Sequence, residues 1–112
     1  MRRRLRCVLP ALVLAIVACE GQPLPTERGD YAGMWRGDGV ELRIDLDGTV
    51  SYRRRSGTGT VSIDGPLQGF DGDDFVVGVM VVKTTFDVGA PPQQREGRWV
   101  MTVDGAELVR DP

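Results

Sequence analysis

Short alternating runs of apolar and polar residues, separated by Asp-Gly pairs, constrain the fold of this chain more than any other feature. Four of these pairs begin at Asp47, Asp64, Asp71 and Asp104. Asp-Gly is favoured in tight turns, because both residues tolerate the backbone conformations that such turns require. The runs between the pairs are rich in valine and other β-branched residues, and none has apolar residues at helical spacing. We therefore predict strands joined by tight turns, with essentially no helix after residue 18.

The first of two hairpins can be placed in register from its residues alone. A three-residue loop over Leu46–Gly48 pairs Ile44 with Val50 and Leu42 with Tyr52. A two-residue turn would place the apolar side chains of the two strands on opposite faces. Because the longer loop buries one continuous face, we predict the three-residue loop.

The second hairpin lies at the C-terminus and favours a shorter turn. A two-residue turn at Asp104-Gly105 pairs Met101 with Leu108 across the two strands. Trp99 then extends the same apolar face. We predict that this face is buried.

Between these hairpins, the run Phe75–Val82 is apolar on both faces, and we predict that it forms one strand. A further strand is expected over Lys83–Val88, and Gly89–Gly97, which contains Pro91-Pro92, is expected to be the longest loop. Seven to nine short strands at this spacing predict an all-β antiparallel meander, closed or nearly closed into a barrel that hides its edges. A small two-sheet sandwich is the alternative.

One side of the Phe75–Val82 run is the candidate ligand or partner surface. Alternation places the phenylalanine and three valines on one side, which we expect to pack inside. The other side is formed by Val76, Gly78, Met80 and Val82. Methionine adapts well to binding partners, and a glycine would leave a notch. We predict that this second side faces a partner.

The residue types present argue against most catalytic and metal sites. The chain has no histidine, and both of its cysteines, Cys7 and Cys19, lie within the first nineteen residues, outside the β domain. We therefore predict no catalytic residues, no metal ligands and no cofactor. The acidic cluster Asp71–Asp74 lacks the spacing of a calcium loop, so we interpret it as a turn. The run Arg53–Arg55 could meet an acidic partner, but we interpret it as a solvated strand edge.

The N-terminus has the layout of an export signal. Four arginines lie within residues 1–6, and residues 7–18 are apolar except for Pro10. Twelve residues in a helix rise only about 18 Å, which is too short for the ~30 Å hydrocarbon core of a bilayer. The segment is therefore expected to be a cleaved signal.

The end of that segment, Ile16-Val17-Ala18-Cys19, resembles the lipobox of bacterial lipoprotein precursors. The resemblance implies that the thiol of Cys19 receives a diacylglyceryl group, that cleavage occurs before this residue, and that the new amine is acylated, commonly with palmitate. The implied division is a signal peptide over 1–18, a lipidated cysteine and flexible tether over 19–30, and one β domain over 31–112. An ordinary secretory signal cleaved near Ala18 is the alternative.

A second, shorter resemblance lies at the first strand of the domain. Gly33-Met34-Trp35 is similar to the Gly-x-Trp motif that opens lipocalin-like barrels, in which the tryptophan plugs the barrel floor. No lipocalin ligand is carried over to this chain. We interpret Trp35 and Trp99 as core aromatics.

Charge and location complete the functional expectation. Without residues 1–18 the chain has ten basic and sixteen acidic residues, a net charge of −6, which disfavours binding to nucleic acid. We predict a lipid-anchored protein of the cell envelope, in the outer membrane facing the periplasm if the host has two membranes. It would act as a non-enzymatic binding module for a protein or apolar ligand. A structural or assembly accessory of the envelope is the second hypothesis, and a small hydrolase is the third.

Overall fold

The computed structural model describes residues 22–112, so the predicted signal peptide and Cys19 lie outside the described residues. The described chain is all-β, as predicted, with one short 3-10 helix at Thr26–Tyr31. The nine strands are β1 (Gly33–Gly37), β2 (Val40–Ile44), β3 (Thr49–Ser56), β4 (Gly59–Asp71), β5 (Asp74–Val79), β6 (Val82–Phe86), β7 (Val88–Arg95), β8 (Arg98–Val103) and β9 (Ala106–Arg110).

All nine strands form one antiparallel sheet in the order β6-β5-β4-β3-β2-β1-β9-β8-β7. Strands that are consecutive in sequence pair with each other, with the exception of β6 and β7, which form the two edges of the sheet. The first strand, β1, also pairs with the last strand, β9. The sheet curls into a half-barrel that remains open between β6 and β7. The predicted meander is confirmed, and the single sheet excludes the sandwich alternative.

Both predicted hairpin registers are confirmed. Ile44 pairs with Val50, Leu42 pairs with Tyr52, and Gly48 has a φ of 94° at the end of the three-residue loop. In the C-terminal hairpin, Met101 pairs with Leu108 across a two-residue turn. Local turn chemistry and the demand for one buried face therefore determine register in both places.

The concave face of the half-barrel holds the hydrophobic core. Trp35 in β1 is completely buried, and its indole N–H donates to the carbonyl oxygen of Tyr31 over 2.9 Å. The guanidinium of Arg110 lies 5.6 Å from the Trp35 ring and 4.8 Å from the partly buried Trp99 ring. Both tryptophans thus pack in or against the core, as we interpreted them.

The prediction of one strand over Phe75–Val82 is wrong. The chain reverses at Met80-Val81, so that Val79 pairs with Val82 and the run is divided between β5 and β6. Apolar alternation cannot locate a turn that contains no turn-forming residue. Phe75 and Val77 are nevertheless buried, as expected for the inward side.

The prediction of a long loop over Gly89–Gly97 is also wrong, because most of this segment belongs to β7. The pairing of β7 with β8 shifts register between Val88 and Ala90, and again between Ala90 and Gln93, next to the two prolines. Proline is tolerated here because β7 is an edge strand with ladder hydrogen bonds on one side only.

The Asp64-Gly65 pair is not a turn but lies within the 13-residue strand β4. A Cβ on Gly65 would lie 3.3 Å from Cγ1 of Val77 and 3.6 Å from Cα of Gly78. Glycine at this position therefore allows β4 and β5 to approach closely, which a sequence pattern cannot distinguish from a turn.

Candidate functional site: the tip of the β5–β6 hairpin

The turn between β5 and β6 departs from the chemistry of the other short turns of the domain. Six two-residue turns join strands between residues 33 and 112. Five of them contain a glycine, whereas the sixth is Met80-Val81. Met80 has a φ of 53°, a left-handed conformation that costs most side chains roughly 1–2 kcal/mol. An apolar pair thus occupies a position at which glycine or asparagine would be more stable.

The two turn residues and the valine on either side of them form the most exposed apolar group of the described chain, and we call residues 79–82 the apolar tip. The exposed fractions are 47% for Val79, 84% for Met80, 92% for Val81 and 73% for Val82. Isolated exposed apolar side chains are common on protein surfaces, but a contiguous group tends to mark a contact site.

The base of the hairpin, in contrast, is firmly packed. The ring of Phe75 stacks on that of Phe86 at 4.9 Å with an interplanar angle of 12°. The side-chain amide of Gln68 donates to the carbonyl oxygen of Gly78. The hairpin therefore holds its tip on a rigid base, which limits the entropy lost when the tip binds a partner.

The structure divides the residues of the predicted partner surface. Val76 is half-buried on the outer side of β5, and Met80 lies in the turn. Val82 pairs with Val79 and therefore shares its side of the hairpin, opposite to that of Val76. A Cβ on Gly78 would collide with the carbonyl oxygen of Val82, so the space expected as a notch is filled by the β6 backbone.

Two features of the tip were missed in the sequence. The turn itself brings Val79 and Val81 into the exposed group, and nothing in the run Phe75–Val82 signals a reversal. Lys83 directly follows the tip and is exposed. It is the one lysine of the chain and the one charged residue between positions 75 and 86. That isolation of a single cation beside four aliphatic residues was visible in the sequence.

The chain enters the domain beside the base of this hairpin. The backbone N–H of Gln22 donates to the carbonyl oxygen of Leu67 over 2.9 Å, and that of Leu24 donates to Leu46 over 3.0 Å. Leu67 in turn pairs with Val77 of β5. Within the predicted flexible tether of residues 19–30, Gln22 and Leu24 are thus hydrogen-bonded to the domain, and residues 26–30 belong to the 3-10 helix.

The predicted basic run lies elsewhere, along a groove of about 400 Å³. Arg53 donates to a carboxylate oxygen of Asp64 over 2.9 Å, and Arg54 donates to the hydroxyl of Tyr52 over 3.2 Å. The hydrogen bond from Arg53 lowers the pKa of Asp64. Because two of the three arginines already have partners within the domain, this groove is the weaker candidate site.

The acidic cluster of residues 71–74 serves the fold. Asp74 accepts a hydrogen bond from the backbone N–H of Val88 over 2.7 Å, and the carbonyl oxygen of Asp73 accepts one from the Tyr31 hydroxyl over 2.9 Å. Among residues 22–112, no group of three or more histidine, cysteine or acidic side chains is arranged to hold a metal ion. The cluster joins the turn after β4 to the 3-10 helix and to β7.

Within the described part of the chain, no helix is long and apolar enough to span a bilayer. Comparison of the chain with protein families, with curated proteins and with solved structures gave no match.

Proposed function

We propose that the protein is a lipid-anchored, non-enzymatic binding module of a bacterial cell envelope, and that the apolar tip is its contact surface. The observation that carries this proposal is the Met80-Val81 turn, in which exposed aliphatic side chains occupy a place where polar turn residues would be more stable. Local rules of stability are most often broken at functional sites. Burial of one such side chain against a partner would contribute about 1.5–3 kcal/mol.

The residues of the domain support binding rather than catalysis. The chain has no histidine, and within its densest acidic cluster the carboxylate of Asp74 and the backbone carbonyl of Asp73 accept hydrogen bonds that hold the fold together. The anchor and the envelope location are supported by the lipobox at Ile16–Cys19. The net charge of −6 after residue 18 supports a protein or apolar ligand, rather than nucleic acid, as the partner.

The double variant Met80→Gly/Val81→Asn tests the contact surface. Of the two turn residues only Met80 has a positive φ, and a turn of that type favours glycine at its first central position, so the variant removes the two most exposed side chains of the apolar tip without disfavouring the hairpin. Pull-down from membranes should recover less of the co-purifying chain or lipid, while the midpoint of thermal unfolding is unchanged or higher. Leu46→Ser, at another loop whose leucine is 67% exposed, is the control and should retain capture. Equal capture by all three proteins would refute the proposal.

A further inference from the structure

We infer that the apolar tip inserts into the surface of the lipid bilayer, so that the domain contacts the membrane at two points, the acylated Cys19 and the tip. This inference rests on the proposed function of the tip, and it specifies lipid as the occupant of that surface.

The composition of the tip favours lipid over a protein partner. Its four exposed residues are three valines and a methionine, and no carboxylate lies between Phe75 and Phe86. Energetically dominant residues of protein interfaces are enriched in tryptophan, tyrosine and arginine, none of which occurs in the tip. A lysine at the edge of an inserted apolar segment can place its stem along the acyl chains and its ammonium at the phosphates. Lys83 occupies that position.

The backbone of the tip is suited to shallow insertion. Val79 and Val82 face each other across the hairpin, so the amide groups between β5 and β6 are paired up to the turn. Within residues 79–82, only the backbone polar groups of Met80 and Val81 then need water or lipid headgroups as partners. If the apolar tip enters the bilayer by only about 5–10 Å, these polar groups stay within reach of the headgroups.

The described chain begins beside the hairpin that carries the tip. Gln22 is bonded to Leu67, and Leu67 pairs with Val77 of β5, three residues before Met80. Because the sequence places Cys19 only three residues before Gln22, an anchor at that residue would hold this part of the domain close to the membrane.

A dye placed in the tip provides the direct test. In the lipidated protein the sulfur of Cys19 is a thioether, so Val81→Cys introduces a single thiol that can carry an environment-sensitive fluorophore. Glu96→Cys, in the glycine-containing turn between β7 and β8, provides the matched control site. After reconstitution into phosphatidylcholine vesicles, we expect a blue shift and quenching by brominated lipid at position 81 but not at position 96. A label at position 81 that is as accessible to water as that at position 96 would overturn the inference.

A partition measurement isolates the tip from the acyl chains. The soluble, cleaved product of Cys19→Ser, which lacks the apolar signal segment, should bind phosphatidylcholine vesicles at least about tenfold better than the same product with Met80→Gly/Val81→Asn, and Met80→Leu/Val81→Ile should preserve binding. Equal partition of all three proteins would contradict insertion. If the tip variant also loses a co-purifying chain in the pull-down, the contact surface is correct and its occupant is a protein. If pull-down and partition are both unchanged, the proposed function fails with the inference.

Discussion

Gly48 is required for two separate reasons, its backbone conformation and the close approach of another segment. Its φ of 94° closes the loop between β2 and β3, and a Cβ there would collide with the carbonyl oxygen of Gln22. The neighbouring Asp47 accepts a hydrogen bond from the backbone N–H of Thr49 over 2.9 Å, which an asparagine oxygen could also accept. The loop glycine therefore fixes both the hairpin and the entry of the N-terminal segment.

We predict that Gly48→Val lowers the free energy of unfolding by about 1–3 kcal/mol from backbone strain, with a further loss from displacement of Gln22. Asp47→Asn should change stability by less than about 0.5 kcal/mol. Urea unfolding measures both values. Equal tolerance at the two positions would show that the loop does not need a left-handed residue.

The pH dependence of stability should show the burial of Tyr31. Burial raises the pKa of its phenol above the usual 10.0, although the charge of Arg28 opposes the shift. Because the folded state disfavours the tyrosinate, this contribution to stability is complete below pH 10 and is lost as the pH rises through the folded pKa. Tyr31→Phe should make stability fall less steeply above pH 10, as measured by urea unfolding at several pH values. An unchanged alkaline slope would contradict this assignment.

At the scale of elements, the contact between β1 and β9 holds the first and last strands together. This pairing involves two residues of each strand, Trp35 with Arg110 and Arg36 with Val109. Arg110 strengthens the contact, because its guanidinium packs over Trp35 and donates to the carbonyl oxygen of Ala32 over 3.2 Å. Side-chain packing thus supplements a short ladder.

A double-mutant cycle between Gly33 and Arg110 tests this contact. A Cβ at Gly33 would lie 2.5 Å from Cδ of Arg110 and would displace that side chain. Gly33→Ala should therefore be less destabilising in an Arg110→Ala background than in the wild type, by about 1 kcal/mol in urea unfolding. Strictly additive effects would mean that Arg110 does not depend on the open space beside Gly33.

The two edge strands differ in their protection against further pairing. β7 carries Pro91 and Pro92, which lack backbone donors, whereas β6 contains no proline and begins at the apolar tip. A membrane contact at the tip would place the start of β6 against lipid headgroups. The inferred membrane contact would thus cover the start of the edge strand that the sequence leaves without proline.

At the scale of the whole molecule, the proposed anchor would decide where the domain acts. Cys19→Ser should abolish uptake of labelled fatty acid and leave an uncleaved or soluble product, because the modified residue of the lipobox is removed. The Met80→Gly/Val81→Asn protein should still be labelled, since it retains this cysteine. Metabolic labelling followed by membrane fractionation measures both. Unchanged labelling of Cys19→Ser would contradict the lipoprotein interpretation.

The sequence predicted those parts of the fold that depend on neighbouring residues. The registers of the two hairpins follow from a glycine-containing turn and one apolar face, and both are observed. Dependence on neighbouring residues also explains why the run Phe75–Val82 was misassigned, since Met80 and Val81 are residue types typical of strands. Of the candidate surface, Met80 and Val82 fall within the apolar tip, whereas Val76 and Gly78 lie below it in β5.

By itself, the sequence determined the all-β class, the meander and the two registers, because periodicity and turn chemistry act over a few residues. Tertiary structure alone decided that β4 runs through Asp64-Gly65, that the proline segment joins an edge, and that the chain reverses at Met80-Val81. These outcomes depend on which strands meet and how closely they approach. Packing of Phe75 against Phe86 ties β5 to β6 across a turn without turn-forming residues. Packing within the hairpin therefore supports the exposed apolar tip, which turn chemistry alone does not predict.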